Sequence, residues 1–437
     1  MDVVVLVGYL LLGVIVGSAF SMMPSLHIYN VAPIFILIAP QLGIPPEALV
    51  MFLLGNVIGF ATMNTISTIF FSAPDDTTFL ILLPSQVMLN NGRGFEVALL
   101  MGLGCLVGAI ILIAVAPFLL LVFPVFMSLI TPHIHWILAL FLFYILLSEF
   151  PKDIGIGKSR LSRLKEGWRN LAAGYLTFIL SALLGFIIMN TYIIPVEAAY
   201  FGMLPAFIGL FAIPSLIMNI VSRVRIPEQE IQKSIDASPL DVIKGGVAGF
   251  SGGFLAAVIP ALTGGMGSVV AGQAVGQREE SQFLVSIGAS RFVYYVGAFF
   301  FLFIPGYTIV RGGLANLTAT YYIPNRYSEF YAAIAGIALG SVLAFIMLVV
   351  ASFVIAKNIH RIRYDYMSVA IIVVLTAITY MTTGLIGVVI MVIGTGIGLI
   401  PLIYGSRRLH CLAVIIFPLM LNMAGISGSF ARLLGLG

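Results

Sequence analysis

Pro260, Thr263, Gly264, Gly265 and Ser268 sit inside an apolar run, residues 245–276, that carries no charged residue. Proline withholds an amide donor and glycine loosens the backbone, so this pattern predicts a broken helix. A helix that restarts beyond a break presents unpaired amides and the positive end of its dipole. Such an end attracts anions without a buried lysine or arginine. In hydrocarbon, broken backbone persists only where protein or a water-lined cavity satisfies it. These five residues are therefore candidates for binding an anion.

An echo lies near the N-terminus. Gly13, Gly17, Pro24, Leu26 and Gln41 align with Gly249, Gly253, Pro260, Leu262 and Gln277 at a constant offset of 236 residues. Pro24, Ser25, His27 and Asn30 join the candidate binding set on this basis. His27 is the one titratable group in either break, suited to sensing a proton or holding an anion. The competing reading is a neutral imidazole bonded to a carbonyl. A second polar cluster follows at Thr62, Asn64, Thr65, Ser67 and Thr68. Asn64 and Thr65 are candidates for an ion or substrate contact, set against ordinary hydrogen bonding between helices. Asp75 and Asp76 are further candidates for such contacts or for pairing with Arg93, against a solvated turn. Arg291, close to the start of an apolar run, is expected to snorkel to the membrane surface.

The elements that hold these residues follow from composition. Of 437 residues, 61% are hydrophobic and 9% charged, against about 25% charged in soluble domains. This is an all-α, polytopic membrane protein. Full crossings are expected at about 47–71, 96–124, 133–150, 170–190, 199–222, 286–310, 329–356, 366–381, 383–402 and 410–431, with broken runs at 3–42 and 245–276. The short apolar stretch 79–89 is too short to span. Basic clusters at 152–169, 223–244, 357–363 and 407–408 belong on the cytoplasmic side. Parity between them makes 245–276 a re-entrant hairpin, and the same reading of 3–42 puts the N-terminus outside. Two inverted repeats result, 1–222 and 242–437, each a hairpin plus five crossings, joined by a cytoplasmic linker at 223–241. The location is the cell membrane. The net charge of +4 implies no nucleic-acid partner. Cys105 and Cys411 are read as buried thiols, and Met1 to Met23 as a retained membrane segment.

No enzyme constellation emerges, and no metal or cofactor is expected. The five histidines are scattered, and Gly394-Thr395-Gly396-Ile397-Gly398 lies within an apolar helix. With no nucleotide-binding domain, uphill transport would draw on Na⁺ or H⁺ or on a partner protein.

Three stretches resemble the TctA family, also catalogued as DUF112, the large membrane subunit of tripartite tricarboxylate transporters. They are residues 17–32 with Pro24-Ser25-Leu26-His27, residues 69–94 with Ala73-Pro74-Asp75-Asp76-Thr77-Thr78, and residues 249–272 around Pro260. The resemblance implies a permease for a small organic anion such as a di- or tricarboxylate, working by alternating access around the two hairpin tips. It also implies, as partners, a small membrane subunit and an extracytoplasmic binding protein, and admits a homo-oligomer. The hexapeptide 260–265 alone is similar to the DUF368 polyprenyl-phosphate translocases, which gives a lipid-carrier flippase as the alternative.

Overall fold

The computed structural model describes residues 2–23, 27–71, 82–149, 159–195, 198, 201–222, 226–232, 234–260, 262–275, 279–306 and 310–436. Every regular element among them is helical. Among the described residues, nine helices are long and apolar enough to cross a membrane, or ten elements if a bent pair at the C-terminus is counted. The chain is a polytopic helical membrane protein.

Its residues form two compact units, 1–128 with 223–367 and 129–222 with 368–437. Each unit therefore draws on both halves of the sequence.

The first unit begins with α1 (Val3–Ser21), capped by the Asp2 carboxylate on the Val4 amide at 3.3 Å. It continues with α2 (Ile28–Ile38), α3 (Pro46–Phe70), α4 (Leu82–Asn90) and α5 (Gly94–Ile130). After the linker come α10 (Pro239–Val258), α11 (Gly264–Val275) and α12 (Glu280–Phe292). A π-helical turn, Val293–Gly297, carries α12 into the short α13 (Ala298–Phe300), and α14 (Gly313–Ala319) and α15 (Tyr327–Asn358) follow. In its most apolar window α3 is 94% buried, and the α12 span is 89% buried, whereas α1 and α15 are each 33% buried. The first two form the centre, and α1 and α15 keep wide apolar faces for lipid.

Both helix breaks exist, and at both the chain folds back. Phe20 on α1 and Phe35 on α2 have ring centroids 6.2 Å apart. A continuous helix would separate them by about 22 Å. In the second copy the backbones themselves touch: a Cβ on Gly252 would lie 2.2 Å from the Gly267 carbonyl oxygen. The positions aligned with this pair in the first copy are Val16 and Val31, whose side chains bar the same approach.

Glycines also set the neighbouring packing. A Cβ on Gly13 or Gly17 would meet the carbonyl oxygens of Phe52 and Asn56 at 2.0 and 2.3 Å. One on Gly249 or Gly253 would meet those of Ser286 and Ser290 at 2.2 and 2.3 Å. The two aligned glycine pairs thus seat α1 on α3 and α10 on α12, as small residues do between membrane helices.

The linker is tied to this unit rather than loose. Gln229 accepts the Gly94 amide at 2.8 Å and donates to the Leu89 carbonyl at 3.0 Å. Glu96 accepts the Asp236 amide at 3.0 Å and pairs with Arg93 at 2.7 Å. Arg93, the expected partner of the acidic turn, is thus held by Glu96. That bond and the neighbouring charge raise the Arg93 pKa above its ordinary value. Residues 75 and 76 lie outside the described residues.

The second unit holds α6 (Ile134–Ser148), α7 (Arg160–Asn190), α8 (Leu204–Phe207), α9 (Ile213–Ser222), α16 (Tyr364–Tyr404), α17 (Ala413–Met423) and α18 (Ser427–Leu433). Two pairs of expected crossings recur, and one expectation is corrected. The expected crossings 96–124 and 133–150 correspond to α5 and α6, with a 3₁₀ turn at residues 131–133 between them. The expected crossings 366–381 and 383–402 are the two arms of α16, which meet at Gly384, where φ is 69° and the backbone leaves helical geometry. The expected crossing 410–431 is not straight: α17 and α18 meet at 115°, with Gly425 at φ 72° between them. Glycine alone adopts that left-handed geometry without strain.

Candidate functional site

The two breaks meet the same stretch of the first unit. His27, just before α2, places Nε2 2.9 Å from the hydroxyl of Tyr295, in the π-helical turn after α12. Its ring packs on Phe60 of α3, centroids 4.8 Å apart, and Phe60 packs on Tyr295. His27 therefore bonds a phenol. At the second break, a Cβ on Gly264 would lie 3.0 Å from Tyr294 Cβ, 3.2 Å from the Ser290 carbonyl oxygen and 3.3 Å from Arg291 Cα. Ser290 Oγ donates to the Gly264 carbonyl at 2.6 Å. Residues 290–295 thus face both breaks. A π-helical turn there is itself typical of functional positions in helices.

The second break has the form the sequence predicts. α10 ends at Val258 and α11 starts at Gly264, with the Thr263 carbonyl accepting the Gly267 amide at 3.0 Å. Helix geometry leaves the amides of Gly264, Gly265 and Met266 without acceptors inside α11. Thr263 is buried, and its hydroxyl has no partner among the described residues. Ser268 is buried and donates to the Gly265 carbonyl at 2.9 Å, within its own helix. Pro260 is half-buried and Gly265 buried. The surroundings of Gly264 show that its missing side chain admits α12.

The polar cluster on α3 is buried throughout, from Thr62 to Thr68. Arg291 reaches it. Its Nη2 donates to the Thr62 carbonyl at 3.3 Å and to Thr65 Oγ1. Asn64 is buried one turn from Thr68, whose hydroxyl donates to the Asn64 carbonyl at 3.0 Å. Pro24 and Ser25 lie outside the described residues, as do Asp75 and Asp76. Asn30 belongs to α2, but its side chain lies outside them.

Arg291 is the main correction. It does not snorkel: it is 0% exposed and the largest fully buried side chain among the described residues. The reason is the helix start. α12 begins at Glu280, so Arg291 lies about 16 Å along it, too far from the helix start to reach back to it, and α3 packs against it there. A charge inside an apolar run was the available signal. Tyr295 and Phe60 carried none, because aromatic residues in apolar runs are unremarkable.

A bundle of apolar helices with two breaks facing one helix is a plan that secondary transporters use. The family model of the tripartite tricarboxylate transporter TctA family matches residues 7–413, and the chain belongs to that family. The chain is also similar to an uncharacterized protein of Methanocaldococcus jannaschii, 25% identical over 427 residues, covering 94% of this chain and 98% of that protein. No solved structure matches the chain. The family match spans most of the chain and lends no support to the lipid-carrier alternative, which rests on six residues.

Proposed function

We propose that this protein is a permease for a small organic anion, a di- or tricarboxylate, working by alternating access around its two helix breaks. The observation that carries the reading is the meeting of both breaks on residues 290–295: His27 on Tyr295, and Gly264 on Ser290, Arg291 and Tyr294. A substrate held there would touch elements from both copies of the break, and movement of either copy would open a path on one side. The family name supplies the substrate class. The breaks act as re-entrant hairpins of opposite orientation, with the N-terminus outside the cell membrane. Na⁺ or H⁺ supplies the coupling. A small membrane subunit and an extracytoplasmic binding protein complete the system. Within the binding set, Thr263 and the first amides of α11 hold the anion, His27 lines the opposite break, and Asn64 and Thr65 brace the site from α3.

The test is uptake of radiolabelled citrate and succinate into proteoliposomes. A Na⁺ or proton gradient is expected to drive it without ATP, with or without added binding protein. Uptake that needs ATP hydrolysis and ignores both gradients sinks the proposal.

A further inference from the structure

Arg291 has an unusual balance of hydrogen bonds. A guanidinium carries five N–H donors. Nη2 spends its two on the Thr62 carbonyl and the Thr65 hydroxyl of α3. Nε and Nη1, with three N–H bonds between them, have no hydrogen-bond partner among the described residues, and the neutral Cys105 thiol is the side chain that adjoins the guanidinium. No carboxylate among the described residues forms an ion pair with it. An unpaired charge buried in a membrane helix is expensive and is retained for function. Two further anion-favouring features lie beside it. The backbone of Arg291 touches the first residue of α11, so the positive end of that helix adjoins it. Thr263, which precedes α11, holds a buried hydroxyl that also lacks a partner among the described residues.

We propose that Arg291 is the fixed positive charge of the transport site, and that one carboxylate of the substrate pairs with its free Nε and Nη1 donors. The second carboxylate lies at the start of α11 with Thr263. This rests on the permease reading above and adds the residue that neutralises the substrate. It explains how a dianion is drawn into hydrocarbon without a lysine or arginine in either tip. Thr62 and Thr65 are positioning residues: they hold one edge of the guanidinium. Inorganic phosphate would meet the same donors, so the measurement includes it.

The experiment uses the full chain, purified in detergent, with melting temperature and calorimetric affinity read against citrate, succinate and phosphate. The wild type is expected to be stabilised by at least one of the two acids. Arg291→Met is expected to lose that affinity by about 30-fold or more. Its melting temperature without ligand is expected to hold or rise, because an uncompensated buried charge has been removed. Arg291→Lys keeps the charge but not the fork, and is expected to fall between the two. Affinity in Arg291→Met equal to wild type overturns the proposal. So does a fall in its ligand-free melting temperature, which would mark a structural cation. If Arg291→Met cannot be purified, Thr65→Val decides: it keeps the side chain's shape, and unchanged affinity for the acid overturns the proposal. A wild type shifted by phosphate alone overturns the carboxylate assignment. A wild type moved by neither acid sinks the permease reading for these substrates, while the ligand-free stability of Arg291→Met still reports whether the cation is structural.

Discussion

Two buried charged side chains, one in each unit, have opposite characters. In the second unit Glu149 accepts from the Arg407 amide at 3.0 Å, and its Oε2 lies 2.8 Å from His410 Nε2. Both side chains are buried, and Gly174 leaves the space they fill. This cluster is paired, so its removal leaves orphaned groups. Glu149→Ala is expected to lower stability by about 3 kcal/mol, read as denaturant unfolding in micelles, with little change in substrate affinity. Arg291 is the contrasting case, where truncation is expected to affect binding and spare stability. His27 lies between them. Its bond to Tyr295 joins the first break to α12, and a proton gained there would change that bond. We expect His27→Gln to abolish any pH dependence of uptake seen near neutrality. An unchanged pH profile would leave His27 as a packing residue on Phe60.

At the scale of the element, the breaks were legible because proline and glycine act locally. Pro260 with Gly264 and Gly265 marks a stop and a restart within a few residues, and the restart falls at Gly264. The repeat of glycines at 13, 17, 249 and 253 was legible as an alignment, and its physical meaning is helix contact. The depth of Arg291 was not legible, because it depends on where α12 begins and on Thr62 and Thr65, more than two hundred residues earlier in the chain. The bend between α17 and α18 was written at Gly425, but a glycine in an apolar run reads equally as packing. The glycine contacts yield a paired test. Gly253→Ala places a Cβ 2.3 Å from the Ser290 carbonyl oxygen and is expected to cost about 1–3 kcal/mol. Gly8→Ala meets nothing within 4 Å and is expected to stabilise α1 by about 0.5–1 kcal/mol. Equal effects of the two would mean that α10 does not sit on α12 in this way.

At the scale of the whole molecule, composition and charge sufficed for the helical membrane class. The grouping of helices was beyond them, since contact between distant segments leaves no periodic trace. Each compact unit takes residues from before and after the linker. Residues 1–222 produced alone are therefore expected to be degraded, and co-production with 223–437 is expected to restore a purifiable protein. Recovery of a stable, monodisperse 1–222 fragment would contradict this. The proposed orientation has its own check. Single cysteines at positions 158 and 361 are expected to react with an impermeant maleimide only from the cytoplasmic side, and one at 316 only from outside. Label at 361 and 316 from the same side would overturn the inverted arrangement.

The burial of Arg291 also bears on how the chain is made. Of the nine candidate spans, α10, the α12 span and α3 are the three least apolar. Synthesis runs from the N-terminus, so α3, with Thr62 and Thr65 in place, enters the bilayer long before the arginine leaves the ribosome. The late helix can then pass its cation directly to a waiting polar face, with no interval facing lipid. A chain with the order of these helices reversed would have to park the charge in hydrocarbon while its host was still being translated.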